Sequence, residues 1–425
     1  MNTNAAPACS EGLRGADGRL YPGWTTTGAA MVGLALGPSA MLVFAYSSFV
    51  PALERAFGWS IAALSFGATL VMVMTVVGTV IGGALSDRLG PRQLVLASMP
   101  LFAAGLASLA LLGPDIRGFY ASLVLIGLAA VGVWPVTYNQ LTSQWFDRRL
   151  GLSLGLANAG LALGAAALPA LAAWLIATQG WRAAYAVLGA LALLLPWPLA
   201  WFGLKQRPLA TRPAAGPRDA PGASLDFAAV RRTREFWLAL AGFAMLGAAS
   251  SSVVVHQMRI LTDSGLSAPA AIAMQSVIGV AMLVGRLCTG WLLDRLRAAL
   301  IMVVLCGSGA VALALLAAGA PMGSALPCAI VVGVLIGAEF DVLGYLIPRY
   351  FGRGAFGIVY GIVFGAFQVS AGLTIGLLGW SRAASGSYAA GLSVVAVLLV
   401  IGGGCFALFG PYRFAPPEAA AGPAR

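Results

Sequence analysis

Gly83-Ala-Leu-Ser-Asp87-Arg88-Leu-Gly90-Pro-Arg92 closes one long apolar stretch of this chain, and Gly290-Trp-Leu-Leu-Asp294-Arg295-Leu closes another. Glycine, acid and base coincide at an offset of 207 residues. A second pair of segments echoes the first. Trp145-Phe146-Asp147-Arg148, followed by Gly151 and Gly155, matches Tyr350-Phe351-Gly352-Arg353, followed by Gly357 and Gly361. The chain therefore reads as two related halves.

Composition says what kind of halves they are. The 425 residues are 60% hydrophobic and only 9% charged, whereas a soluble domain is about one quarter charged. The 55 glycines follow no G-x-y period, which excludes a collagen-like chain. Windows of about 20 apolar residues, the length needed to cross a bilayer, fall near 26–51, 60–84, 93–112, 117–144, 151–177, 183–204, 236–259, 268–292, 299–319, 325–348, 355–380 and 388–410. Short turns such as Gly113-Pro114 and Ala320-Pro321 separate them. The one long break, 205–234, holds Pro208, Pro213, Pro217 and Pro221 and reads as a linker. The expectation is an all-α membrane protein of twelve transmembrane helices in two six-helix, pseudo-symmetric bundles. Its parts are a tail (1–25), a bundle (26–204), the linker (205–234), a bundle (235–411) and a second tail (412–425).

Charge predicts the orientation. Of the 25 Lys and Arg, Arg55, Arg117, Arg182, Arg259 and Arg382 fall on one side and Arg286 lies within a span. The remaining 19 lie in the tails, the linker and the loops on the other side, seven of them in the linker (Lys205, Arg207, Arg212, Arg218, Arg231, Arg232, Arg234). Basic loops stay inside, so both termini and the linker are expected in the cytoplasm, with the chain in the cell inner membrane. The net charge of +11 is thus a matter of topology and points to the bilayer, not to nucleic acid, as partner. Residues 1–24 carry Glu11, Arg14, Asp17 and Arg19 and no apolar core, so no cleavable signal is expected. Cys9 lies in the polar tail, and Cys288, Cys306, Cys328 and Cys405 lie in apolar runs, where cysteine packs as a small core residue.

Two six-span repeats in parallel are one way to build a secondary transporter, with the site at the repeat interface near the midplane. The pattern G-x-x-x-D-R-x-G-x-R at 83–92, together with the repeat, resembles the signature of the major facilitator superfamily. Its role there is a conformational lock, here assigned to Gly83, Asp87, Arg88, Gly90 and Arg92, with Asp294 and Arg295 in a degenerate second copy that lacks the later glycine. Further stretches resemble the monocarboxylate transporter and oxalate:formate antiporter branch over nearly the whole chain. They are Phe57-Gly58-Trp59-Ser60, Gly180-Trp181-Arg182, His256 with Asp263-Ser-Gly265, Gly285-Arg286 and Arg349-Tyr350-Phe351-Gly352. The resemblance implies a carrier of small organic anions, working with protons or by exchange, and an arginine in span eight that binds the carboxylate.

Charge inside a membrane is costly and marks function. Arg286, Glu339 and Asp341 are the charged residues well inside spans. Arg286 lies eight residues before Asp294, and Asp341 eight before Arg349, which puts them at the same depth, about 12 Å from the span ends. The guanidinium of Arg286 suits a carboxylate; the alternative is a permanent ion pair with Glu339 or Asp341. Those two acids project about 200° apart on one helix. Asp341 shares a face with Tyr345, whereas Glu339 has no polar neighbour one turn away and needs water, substrate or another helix. Both are proton-coupling candidates, with Glu339 favoured, and His256 is a third. The acid that many monocarboxylate transporters carry one turn before this arginine is Met282 here, and the second basic residue of oxalate:formate antiporters is absent, with Gln368 the nearest polar residue. One fixed positive charge favours a monocarboxylate.

Gln368, Tyr46, Tyr138, Asn139 and Asn158 (and Gln140) are candidates to line the cavity, with helix–helix bonding as the alternative role. The G-x-x-x-G pairs 151/155, 357/361 and 361/365 read as close-packing sites, and Pro38, Pro135 and Pro348 as kinks. A lone histidine with no ligand cluster predicts no metal, and no motif calls for a cofactor. One histidine, no C-x-x-C and no phosphate loop argue against a polytopic membrane enzyme. An exporter of hydrophobic compounds and an anion exchanger are the alternatives within the superfamily. A monomer is expected.

Overall fold

The structure, a computed structural model, describes residues 20–207, 224–263, 267–319 and 325–414. Cys9, Glu11, Arg14, Asp17, Arg19, Pro208, Arg212, Pro213, Pro217, Arg218, Pro221, Gly265, Pro321 and the tail beyond 414 lie outside the described residues.

The first half holds α1 (Pro22–Ala35), a π-helical turn (Ser39–Phe44), α2 (Tyr46–Phe57), α3 (Ile61–Leu89), α4 (Pro91–Ser108), α5 (Ile116–Ala129), α6 (Pro135–Ser143), α7 (Leu150–Leu194) and α8 (Pro196–Gly203). After the short α9 (Phe227–Val230) come α10 (Arg234–Asp263), α11 (Ala268–Leu293), α12 (Ala298–Ala317), α13 (Ala325–Tyr350), α14 (Phe356–Ser385) and α15 (Ala389–Ala407).

Eleven helical stretches among the described residues are long and apolar enough to cross a membrane. One of them, Leu150–Gly203, runs for 54 residues, about twice a span. It breaks at Gly180, whose φ of 83° and ψ of 163° leave the helical region and are open to a residue without Cβ. Counted on either side of Gly180 the spans are twelve. The other ends follow local chemistry. The Ser60 hydroxyl accepts from Ala63 N at 3.2 Å to start α3, and left-handed Gly58 and Gly386 end α2 and α14.

Spans one and four are interrupted where the sequence places Pro38 and Pro135: the π-helical turn follows Pro38, and Pro135 opens α6. Pro lacks an N–H and suits a first turn. Pro348, by contrast, lies inside the unbroken α13.

The two halves meet along α3 with α14 and along α7 with α11. Both seams are made of glycine. A Cβ on Gly83 would overlap the Gly357 carbonyl oxygen, and one on Gly151 the Gly290 carbonyl oxygen. In lipid, such backbone contact replaces the hydrophobic drive that packs soluble helices. The outward faces are apolar, with Leu111, Phe202, Leu373 and Trp380 among the most exposed large side chains.

Candidate substrate and coupling site

Arg286 on α11 is 1% exposed. Its Nη1 stands 3.4 Å from Asp341 Oδ1 on α13, its guanidinium carbon lies 5.6 Å from the Phe340 ring centre, and its Nε has no partner. The separation is long for an ion pair, where 2.7–2.9 Å is usual, so the pair is loose. Asp341 is fully buried and takes its shorter bond from the other half of the molecule: Asn158 Nδ2 of α7 donates to Oδ1 at 2.8 Å. The same Asn158 nitrogen donates to Asn139 Oδ1 at 3.0 Å, and Asn139 Nδ2 of α6 donates to the Tyr360 hydroxyl of α14 at 3.1 Å. A buried polar chain thus runs Arg286–Asp341–Asn158–Asn139–Tyr360, crossing between the halves twice.

One sequence reading of this region changes. Tyr345 is not the local partner of Asp341; its ring carries the Arg349 guanidinium at 5.0 Å and packs on Tyr412. The bond to Asp341 Oδ1 comes instead from across the interface, and Oδ2 is left without a partner. Glu339, also buried, turns toward Ser250 of α10, with Oε2 and the Ser250 hydroxyl both short of hydrogen-bond geometry.

The other predicted residues divide. Asn139 and Asn158 join the arginine, as described. Tyr138 is buried with an unpartnered hydroxyl packed against Gly33. Tyr46 spends its hydroxyl on the Leu64 carbonyl at 2.7 Å, which is a packing role inside the first half. Gln368 is half-buried on α14, and no described hydrogen bond ties it to Arg286. His256 sits elsewhere, in a cleft of about 750 Å³ shared with Arg259, Arg382 and Tyr388. Its Nε2 lies 3.0 Å from the Ile375 carbonyl, which can only accept, so Nε2 carries the hydrogen and Nδ1 faces the Tyr388 hydroxyl at 3.2 Å. Among the described residues no group of His, Cys, Asp and Glu could hold a metal ion. Tyr360 and Ser250 were missed in the sequence. Tyr360 lies one turn from Gly357 and next to Gly361, the two glycines that abut α3, a signal that spacing carries.

At one end of the molecule the repeated motifs join the halves. Asp87 Oδ1 and Oδ2 accept from Gly357 N and Ile358 N, both at 2.9 Å, at the start of α14. Asp294 accepts from Gly151 N at 2.6 Å and Leu152 N at 2.9 Å, at the start of α7. A carboxylate on a helix N-terminus meets both free N–H groups and the positive end of the helix dipole. Despite its missing glycine, the second copy makes the same contact as the first. Gln140 supports the first copy, donating to Asp87 at 2.7 Å and accepting from Ser86 at 2.6 Å. The basic residues do other things. Arg92 caps the end of α8 through the Leu204 and Trp201 carbonyls, at 2.8 and 2.9 Å. Arg295 stacks 3.7 Å over Trp291, Arg88 is exposed, and Gly90 turns α3 into α4 with φ 87°. A third joint, unread in the sequence, pairs Arg353 with Asp147 at 2.9 Å while Arg349 donates to the Asp147 carbonyl.

Similarities to known proteins agree with this geometry. The chain is 29% identical to monocarboxylate transporter 13 of Bos taurus over 84% of its own length and 82% of that protein's. It is 27% identical to monocarboxylate transporter 11 of Mus musculus over 89% and 86%. The solved structure of the E. coli fucose:proton symporter FucP superposes with a TM-score of 0.70 at 14% identity, covering 91% of this chain and 98% of that one, and so shares its fold. The sequence profile of the Major Facilitator Superfamily matches residues 32–375. Twelve spans in two joined halves, with a match over most of their length, make this chain a multi-pass membrane transporter belonging to the major facilitator superfamily.

Proposed function

We propose that the protein carries a small organic anion, a monocarboxylate, by alternating access coupled to protons. The observation that supports this best is the loose pairing of Arg286. A fully buried guanidinium with an unpartnered Nε, held only at 3.4 Å by Asp341, has donors to spare for a second carboxylate. Substrate arriving there competes with Asp341, and Asp341 released from the arginine is left as a buried carboxylate for which a proton is the natural compensation. Glu339, turned toward Ser250, stands as the second carrier candidate, and His256, engaged on both ring nitrogens, as a remote third. The two relatives named as monocarboxylate transporters favour the same substrate class.

In this reading the first and second bundles rock about the Arg286 region. The contacts of Asp87, Asp294 and Asp147 hold shut the end that bears the basic loops, the cytoplasmic end if positive charge stays inside. Both termini then lie in the cytoplasm and the chain in the cell inner membrane. The test uses purified protein in liposomes under an imposed pH gradient, screened with short and aromatic monocarboxylates. Arg286→Gln is expected to abolish uptake of the best substrate, and full uptake by that variant sinks the assignment.

A further inference from the structure

One hydrogen bond between the halves is unfinished at both ends. Beside the bond from Asn158 Nδ2 to Asp341 Oδ1, the remaining oxygens, Asn158 Oδ1 and Asp341 Oδ2, are both buried without partners. The amide cannot be turned round to mend this. Its nitrogen already faces two acceptors, Asp341 Oδ1 and Asn139 Oδ1, and a flip would set oxygen against oxygen. Asn158 Oδ1 can only accept, and an ionised Asp341 has nothing to donate. A protonated Asp341 has. With a hydrogen on Oδ2 the acid supplies the type of donor that Asn158 Oδ1 lacks, and acid and carboxamide become complementary in donors and acceptors.

We propose that Asn158 is the positioning residue that receives the proton of Asp341, and that this carboxamide–acid pair couples protonation to contact between the halves. The inference rests on the reading of Arg286 as the anion site and deepens it. In the substrate-free state Asp341 is the counter-ion of Arg286. When a substrate carboxylate takes the arginine, the 3.4 Å contact of Arg286 with Asp341 is given up, a proton from the aqueous side forms an O–H bond on Asp341, and no covalent bond breaks. The Arg286–Asp341 pair carries no net charge before, and arginine, substrate and protonated Asp341 carry none after. The other ionisable groups around Asp341 are Glu339 on its own helix and Tyr360 on α14. Asn158 of α7 and Asn139 of α6 are neutral, so the first half answers the proton through hydrogen bonding, not charge. Because Asn158 and Asp341 belong to different halves, the second bond of the pair tightens their junction as the proton arrives.

The experiment combines infrared difference spectroscopy and uptake on the full chain in liposomes at acidic pH. The acid carbonyl band lost in Asp341→Asn identifies Asp341. Asn158→Leu is expected to move that band to the higher wavenumber of an unbonded acid, and to slow proton-driven uptake about tenfold, the order expected for a buried hydrogen bond. The exchange Asn158→Asp with Asp341→Asn rebuilds the same pair with the acid on α7. It is expected to recover an acid band and proton-driven uptake relative to Asp341→Asn alone, and it decides the matter if Asn158→Leu does not fold. An unmoved band in Asn158→Leu, or an exchanged pair no more active than Asp341→Asn, overturns the proposal. Either result alongside an inactive Arg286→Gln leaves the anion site standing; full uptake by Arg286→Gln removes that site and this inference with it.

Discussion

Asp87→Asn offers a quantitative test of what holds the two halves together. The carboxylate receives two backbone N–H groups of α14, at 2.9 Å each, and Gln140. Asparagine preserves the shape but keeps one acceptor oxygen and turns an NH₂ against the second N–H. The loss is one charge-assisted bond, about 2 kcal/mol, and the interaction of a full charge with the helix end, about 0.5–1 kcal/mol. Together these shift the balance between closed and open by about 100-fold, so a protein about 99% closed at this end becomes about half open. Asp294→Asn should act alike, because Asp294 accepts from Gly151 and Leu152 in the same manner, and the two effects should add, since the sites touch different helix ends. The assay is electron–electron distance measurement between spin labels at Leu89→Cys and Leu296→Cys, both exposed at this end on opposite halves, with the five native cysteines replaced. A longer distance should appear in each single variant and dominate in the double. Unchanged distance distributions in both single variants would refute helix capping as the joint.

Other expectations are narrower. Gly180→Ala forces Cβ into φ 83° with open space around it, so the cost is conformational alone, about 1–2 kcal/mol, read as a lower thermal unfolding midpoint in detergent. Tyr46→Phe removes the bond to the Leu64 carbonyl and should cost about 1 kcal/mol of stability while uptake stays within about twofold; a larger loss of uptake returns Tyr46 to the site. Glu339→Gln should retain proton-driven accumulation if Asp341 is the carrier, and collapse of accumulation in this variant moves the role to Glu339.

Much of the architecture is legible along the chain because it depends on local quantities. A bilayer demands about 20 apolar residues per crossing, and the chain supplies them at regular intervals. Gly180 was visible beside Trp181 and Arg182, and its left-handed turn is what splits the longest apolar run. The depth of Arg286 and Asp341 followed from counting back to Asp294 and Arg349, because the rise of a helix is constant. The partners of those residues did not follow. Tyr345 is the polar residue one turn from Asp341 on the same face of α13, yet the carboxylate turns to Asn158, 183 residues away, and Asn139 finds Tyr360 across 221. The degenerate second motif looked weakened by its lost glycine, yet Asp294 caps α7 as Asp87 caps α14, because the contact needs a carboxylate and two free N–H groups and nothing from the glycine.

The sequence by itself determined the number of crossings, the two-fold repeat, the family and the few charges that membrane depth makes expensive. Each of these is a property of spacing and composition, which a linear chain states outright. The tertiary structure alone decided which charge meets which: that Arg286 is held loosely by Asp341 and not by Glu339, and that the acid's firmer bond comes from the opposite half. Hydrogen bonds are settled within about 3 Å, and no periodicity along a helix says which residue of another helix will stand that close.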